Sequence, residues 1–225
     1  MSVAGQQLRF VDLSHTVTEG LQTYPGLPAP HIFAHLDRDA AEAIYGPGVT
    51  FTIGMITICS NTGTYIDMPY HRFADGHDLA GLPLHRVASV PGVCIDCRGI
   101  DSIGPEHVAD RALAGCAVLF RTDHSRNFAT AAYLDHHPHL SAATAQALVA
   151  AGAFCVGIDS LNIDAISSPD GDGRPVHTTL LRNDIPIIEH LTALDALPSE
   201  GFRFTAVPPK IEGLGTFTVR AFATI

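Results

Sequence analysis

The chain has 225 residues, 46% of them hydrophobic, which suits one large domain with a sizeable core and excludes a long disordered protein. Thirteen Lys and Arg face 23 Asp and Glu, a net charge of −10, so no basic stripe for nucleic acid exists and anionic membranes are disfavoured. No apolar run reaches the roughly 20 residues of a transmembrane helix, and Met1 to Phe10 lacks the apolar stretch of a signal peptide, so a cytoplasmic protein is expected.

In chain order, Leu8 to Leu13 predicts a strand. Tyr24-Pro25-Gly26-Leu27-Pro28-Ala29-Pro30 can be neither helix nor central strand and predicts a rigid loop. Asp37 to Ile44 predicts a short helix, and the β-branched run Val49 to Cys59 a long strand. Val93 to Cys97 is a short buried strand. Pro105 and Glu106 suit a helix start, with Gly115 as its stop after Leu113. Cys116 to Arg121 is a strand running out in Thr122-Asp123-His124-Ser125. Ser141 caps a helix over Ala142 to Ala151 that Gly152 closes. Phe154 to Ile158 is a strand ending in Asp159-Ser160, and Pro169 to Gly173 is a turn. Thr178 to Leu181 is a short apolar segment. Ile185 to Ile188 is a strand that delivers Glu189, and Phe202 to Val207 and Phe217 to Ala223 close the chain. No repeat or linker interrupts residues 1–225, which read as one domain. Helices alternate with strands only in the middle, so the expected class is α/β, a mixed sheet or distorted barrel with peripheral helices.

The five cysteines sit in or at the end of apolar runs, and Cys94-Ile95-Asp96-Cys97 does not open a helix. A redox pair needs a helix N-terminus to lower its thiol pKa, so buried, unreactive thiols are expected. His136-His137-Pro138-His139 reads as a surface connection. Asp170 and Asp172 lack the remaining ligands of a calcium loop, and Gly213-Leu214-Gly215 lacks the third glycine of a nucleotide fingerprint.

The densest polar run is Ser60-Asn61-Thr62-Gly63-Thr64-Tyr65-Ile66-Asp67-Met68-Pro69-Tyr70-His71. Asn61, Tyr65, Asp67 and His71 can all contact a metal or a substrate. Gly63 permits close backbone approach, and Pro69 restricts the chain between Asp67 and His71. Spacing alone fits a hydrogen-bonded turn as well as a functional site.

This run resembles the His-x-Gly-Thr-His-x-Asp-x-Pro-x-His signature of the metal-dependent cyclase family, which includes bacterial kynurenine formamidases (arylformamidases) and isatin hydrolases. The Gly, Thr, Asp, Pro and last His fall at Gly63, Thr64, Asp67, Pro69 and His71. Asp12-Leu13-Ser14-His15, Tyr24-Pro25-Gly26, Gly157-Ile158-Asp159-Ser160, and His177 followed by Glu189 extend the resemblance from about Phe10 to Ala223. It implies a swivelling β/β/α fold and, from the family's habits, a homodimer or homotetramer. In the family the two early histidines and the Asp hold one metal, while the Asp, a distant His and a Glu hold a second. Here those sets become Asn61, Tyr65 and Asp67, and Asp67, His177 and Glu189. An Asn carbonyl is a weak zinc ligand, and a phenol must lose a proton from a pKa near 10 to bind well. The resemblance therefore implies one divalent metal, zinc or manganese, on Asp67, His177 and Glu189.

His71 is then the expected acid-base residue, since imidazole titrates nearest neutrality. Tyr65 and Asn61 become candidate donors to a developing oxyanion. The implied reaction is hydrolysis of a small aromatic formamide, amide or cyclic amide, with N-formylkynurenine the nearest family substrate. The rival reading keeps the fold as a non-catalytic small-molecule binder that has lost its metal. His15, Tyr24, Pro25 and Arg72 are candidate pocket residues. His15 serves equally well as a structural histidine, and Arg72 could neutralise a substrate carboxylate or face away from it.

Overall fold

The computed structural model describes residues 8–166 and 173–225. Most of the predicted turn at Pro169 to Gly173, with Asp170 and Asp172, therefore lies outside the described residues. The strands are β1 (Phe10–Asp12), β2 (His31–Leu36), β3 (Ile53–Thr57), β4 (Tyr65–Asp67), β5 (Val90–Asp96), β6 (Ser102–Ile103), β7 (Ala117–Arg121), β8 (His139–Leu140), β9 (Cys155–Ile158), β10 (Ile187–Glu189), β11 (Glu200–Thr205), β12 (Thr216–Thr218) and β13 (Phe222–Thr224). The helices are α1 (Arg38–Tyr45), α2 (Ala131–Leu134), α3 (Ala142–Ala150) and α4 (Pro175–Arg182). Among the described residues no helix is long and apolar enough to cross a membrane.

Nine strands form one mixed sheet in the order β1-β13-β11-β5-β7-β9-β10-β4-β12. Its centre, β5-β7-β9-β10, is parallel. That suits runs such as Ala117-Val118-Leu119-Phe120 and Cys155-Val156-Gly157-Ile158, buried on both faces. The flanking pairs are antiparallel. β12 and β13 lie seven places apart in the sheet, yet only Val219, Arg220 and Ala221 join them. A flat sheet would separate them by about 34 Å, whereas the chain from Thr218 to Phe222 spans at most about 14 Å. The sheet is therefore curled into a half-barrel. Leu13 N donates to Ala221 O at 2.9 Å, Val219 N donates to Thr64 O at 2.9 Å, and Ser14 pairs with Leu191, which ties the edges together.

The two faces of the sheet carry two cores. Leu13, Ile66, Leu119, Ile188 and Phe204 pack in one. Val118, Phe120, Val156 and Ile187 pack in the other, against Leu148 of α3 and Leu180 of α4. The alternation along β7 follows from the two-residue period of a strand. α3 begins where Ser141 Oγ accepts from Thr144 N at 3.2 Å, and Gly152 follows it with φ +73°.

Several elements differ from expectation. Val49 to Cys59 yields only the five residues of β3, which pair with β2 as an arm whose strands are exposed. The helix expected after Pro105 stops as one 3-10 turn, Pro105–His107, because Asp110 adopts the left-handed φ of 58°. Phe217 to Ala223 divides between β12, an edge strand, and β13, which lies next to the opposite edge strand β1. α4 forms over the segment read only as apolar, with Pro175 in its first turn. His137 is buried instead of exposed, facing Asp164 O at 3.1 Å. Cys94 and Cys97 are buried, and burial pushes each thiol up to about 12, too high for redox chemistry at neutral pH.

Candidate active site

Strand alternation sets the site. Tyr65 and Asp67 of β4 share one face while Ile66 enters the core. The register opposes Glu189 to Tyr65 and Thr216 to Asp67, so four polar side chains meet on that face. Pro69 starts a 3-10 turn that returns His71 over Asp67, with Nδ1 3.8 Å from Asp67 Oδ1. This turn rests directly on Gly215, where a Cβ would stand 2.2 Å from His71 N. Gly63 takes φ +66°, and its N–H donates to Thr23 Oγ1 at 2.8 Å. α4 brings in His177, whose Nε2 lies 3.5 Å from Asp67 Oδ2 and 3.7 Å from Glu189 Oε1. Tyr65, Asp67, His177 and Glu189 are buried; the His71 side chain is 31% exposed.

The hydrogen bonds orient each group. Asp164 accepts from Val176 N at 2.8 Å, from His177 N at 3.0 Å and from His177 Nδ1–H at 2.6 Å. That turns Nε2 of His177 inward. The Tyr65 hydroxyl donates to Glu189 Oε2 at 2.5 Å, and Ile163 N donates to Glu189 Oε1 at 2.7 Å. Thr216 Oγ1 donates to Asp67 Oδ1 at 2.5 Å and lies 2.9 Å from His71 Nδ1. The single Thr216 hydrogen goes to the carboxylate, so His71 Nδ1–H is the donor to Thr216 and its Nε2 lone pair is left to accept a proton.

Two converging buried atoms, Asp67 Oδ2 and His177 Nε2, have no partner. A carboxylate oxygen and an imidazole nitrogen 3.5 Å apart, the latter once its proton leaves, fit a divalent cation. Asp67, His71 and His177 offer ligand atoms within 4.8 Å of one another. His71 thus joins the candidate ligand group, while Glu189 borders it through His177.

Burial opposes ionisation of Asp67, but His177, His71 and Thr216 hold its carboxyl below the ordinary value. Burial raises Glu189, and it raises Tyr65 well above the usual phenol, helped by the charges of Glu189 and Asp67. Tyr65 therefore stays a neutral phenol. Burial lowers His177, yet Asp164, Asp67 and Glu189 outweigh it and bring the imidazole to about 10.

Above this floor opens a cavity of about 360 Å³, lined by Tyr24, Leu27, Asn61, Arg72, Asn162 and Arg174. Tyr24, Asn61 and Arg72 of the expected residues line it. Leu27, not Pro25, stands beside Tyr24. His15 does not line it: its ring stacks on Phe128 with centroids 3.6 Å apart, beside a neighbouring groove. Tyr65, expected as an oxyanion donor, gives its hydrogen to Glu189 here and not to the cavity. Asn61 Oδ1 accepts from Ser60 Oγ at 3.0 Å, which leaves its NH₂ as the available donor. Asp164, Thr216, Asn162 and Arg174 were not foreseen. The polar run Asp159 to Asp164 at the end of β9 is a usable signal for Asp164 and Asn162; a lone Thr in a closing strand is none for Thr216.

The sequence profile of the Cyclase family matches residues 11–165, well over half of the chain. Kynurenine formamidase of Salinibacter ruber is 27% identical over 215 residues, covering 95% of this chain and 96% of its own. The Bacillus cytotoxicus kynurenine formamidase is 26% identical over 213 residues, covering 94% and 95%. Isatin hydrolase A of Ralstonia solanacearum superposes with a TM-score of 0.82 at 25% identity, over 97% of this chain and 92% of the other. The profile match covers more than half of the chain, and the chain belongs to the Cyclase family.

Proposed function

We propose that this protein is a metal-dependent hydrolase that breaks a C–N bond in a small aromatic formamide, amide or cyclic amide. The observation that carries the reading is the pair Asp67 Oδ2 and His177 Nε2, 3.5 Å apart, neither with another hydrogen-bond partner, buried at the floor of an open cavity. The relatives' names, kynurenine formamidase and isatin hydrolase, support the bond type and an aromatic substrate. Zinc or manganese suits one carboxylate-rich site with imidazole. Asp67 and His177 would hold it, with Glu189 completing the set; when bound, it would lower the pKa of water and polarise a carbonyl.

The chain's own residues do the rest. Asp164 fixes the tautomer and orientation of His177. Tyr65 and Ile163 fix Glu189. Thr216 holds Asp67 ionised and receives His71 Nδ1–H, so that His71 takes and returns a proton at Nε2. The Asn61 NH₂ offers a hydrogen bond to charge developing on a carbonyl oxygen. Tyr24 and Leu27 wall one side of the cavity against an apolar ring. The same reading carries a homodimer or homotetramer. The β2–β3 arm exposes Ile32, Phe33, Ile53, Met55 and Ile56, and a two-stranded ribbon is marginal in water without a cover.

The test is elemental analysis by ICP-MS of untagged protein purified without added metal, followed by a hydrolysis screen of N-formyl anilines and cyclic amides. About one zinc or manganese per chain, lost in Asp67→Ala and kept in His71→Ala with turnover abolished, supports the reading. A chain that takes up no metal after soaking is a binding protein on an enzyme fold.

A further inference from the structure

We propose that the substrate carries a carboxylate, and that Arg72 and Arg174 grip it together at the mouth of the cavity. The proposal deepens the hydrolase reading and rests on it for the reaction, but not for its test. The chain carries a net charge of −10, so its overall field repels anions. Yet two guanidinium groups line this one cavity.

They rise from one place. Arg72 Nη2 donates to Gly173 O at 3.0 Å, and Arg72 Nε donates to Thr178 Oγ1 at 3.3 Å, which fixes the guanidinium against the start of α4. Arg174 is the residue after Gly173. It holds the left-handed conformation, φ 59° and ψ 67°, which is unfavourable for a residue with a side chain and recurs at ligand sites.

Among the described residues neither arginine has an acidic partner, a state that Arg9, Arg38, Arg86, Arg111 and Arg203 share; what sets Arg72 and Arg174 apart is that both line this one cavity. Deeper in the cavity Thr216 donates to Asp67 Oδ1, and Tyr65 and Ile163 donate to Glu189; neither acid forms an ion pair with the two arginines. Among the described residues, the mouth therefore holds two cations without an acidic partner, above the candidate metal-binding floor. The unspent N–H groups of Arg72 suit the two oxygens of a carboxylate, and Arg174 supplies a second fork. Because Arg72 follows His71 directly, the gripped carboxylate sets how far the rest of the substrate reaches towards the floor.

The probes are 2-aminobenzoate and its neutral isostere 2-aminobenzamide, both fluorescent, titrated into a chain that has no tryptophan to interfere. The full chain is measured as purified and after EDTA, at low and high salt. The acid should bind about tenfold tighter than the amide in both preparations. The preference should shrink with salt and fall to about unity in Arg72→Gln combined with Arg174→Gln. Arg174→Gln alone, at an exposed turn residue, should lose part of it with an unchanged circular dichroism spectrum. Equal binding of acid and amide, binding of neither, or a preference surviving in the double variant overturns the proposal. So does a preference that disappears with EDTA, which would place the carboxylate on a cation. Because no arm requires turnover, a failed hydrolase assay leaves the result readable.

Discussion

At neutral pH a cation that reaches Asp67 and His177 has to displace a proton. With no cation present, His177 sits between Asp164 and Asp67 and titrates at about 10. At pH 7 the imidazole is therefore mostly protonated, and the proton on Nε2 must leave before a cation binds. Apparent affinity should therefore rise about tenfold per pH unit between pH 6 and pH 9. Manganese titrated into EDTA-treated protein at pH 6, 7 and 8 provides the assay. Calorimetry in buffers of different ionisation enthalpy counts the protons, and about one should leave per ion bound. Asp164→Asn removes the charge that holds the proton while keeping an acceptor for His177 Nδ1–H, so proton release at pH 8 should fall and the rise of affinity with pH should flatten. Affinity that is flat from pH 6 to pH 8 with no proton released would refute the reasoning. The sign for the metal-free fold is the reverse. A folded pKa above the unfolded value of about 6.5 contributes stability that is complete below pH 6.5 and is lost as pH rises through about 10.

Gly215→Ala places a methyl group against the backbone of His71, where the Cβ would lie 2.2 Å from N, so the turn must move by about 1 Å. Turnover should fall about 100-fold with the Asp67–His177 pair intact; unchanged turnover at full metal content would contradict the seating of His71 on Gly215. Tyr65→Phe leaves Glu189 Oε2 buried without its donor, which should cost about 2 kcal/mol in urea unfolding without releasing metal; loss of metal would make Tyr65 a ligand. Burial pulls His15 and His137 down to about 4 and His190 to about 3, so each gains a proton on unfolding in acid. Their stability is complete above about pH 6.5 and is lost as pH falls. Asp159, raised by burial to about 6, acts oppositely, because the unfolded chain releases a proton that the fold keeps. Urea midpoints should rise from pH 5 to pH 6, more steeply in Asp159→Asn; a flat profile would contradict neutral burial of these histidines.

The parts legible in the sequence are those fixed by local pattern. Asp67 and His71 lie in one eleven-residue run, Glu189 ends an apolar strand, and Ser141 sits beside the helix it caps. α4 was not legible because its first N–H groups are satisfied by Asp164, 12 and 13 positions upstream, and not by a neighbouring cap. Thr216 meets Asp67 across 149 positions, a pairing that no window reveals. Phe217 to Ala223 reads as one strand because alternation says nothing about a chain leaving one sheet edge for the other. Val49 to Cys59 misled for a related reason: β-branched residues state that a strand suits them, not whether anything covers it.

The join between β12 and β13 has a consequence for how the protein is made. Residues 215 to 218 supply the seat of His71 and the hydroxyl that holds Asp67, and they leave the ribosome about 150 residues after Asp67. A nascent chain can pair β5, β7 and β9 early, but the catalytic floor stays open until these late residues fold back onto β4. Synthesis therefore delivers the scaffold first and the chemistry last, so a chain cut short before Gly215 would emerge with most of its sheet and no working centre.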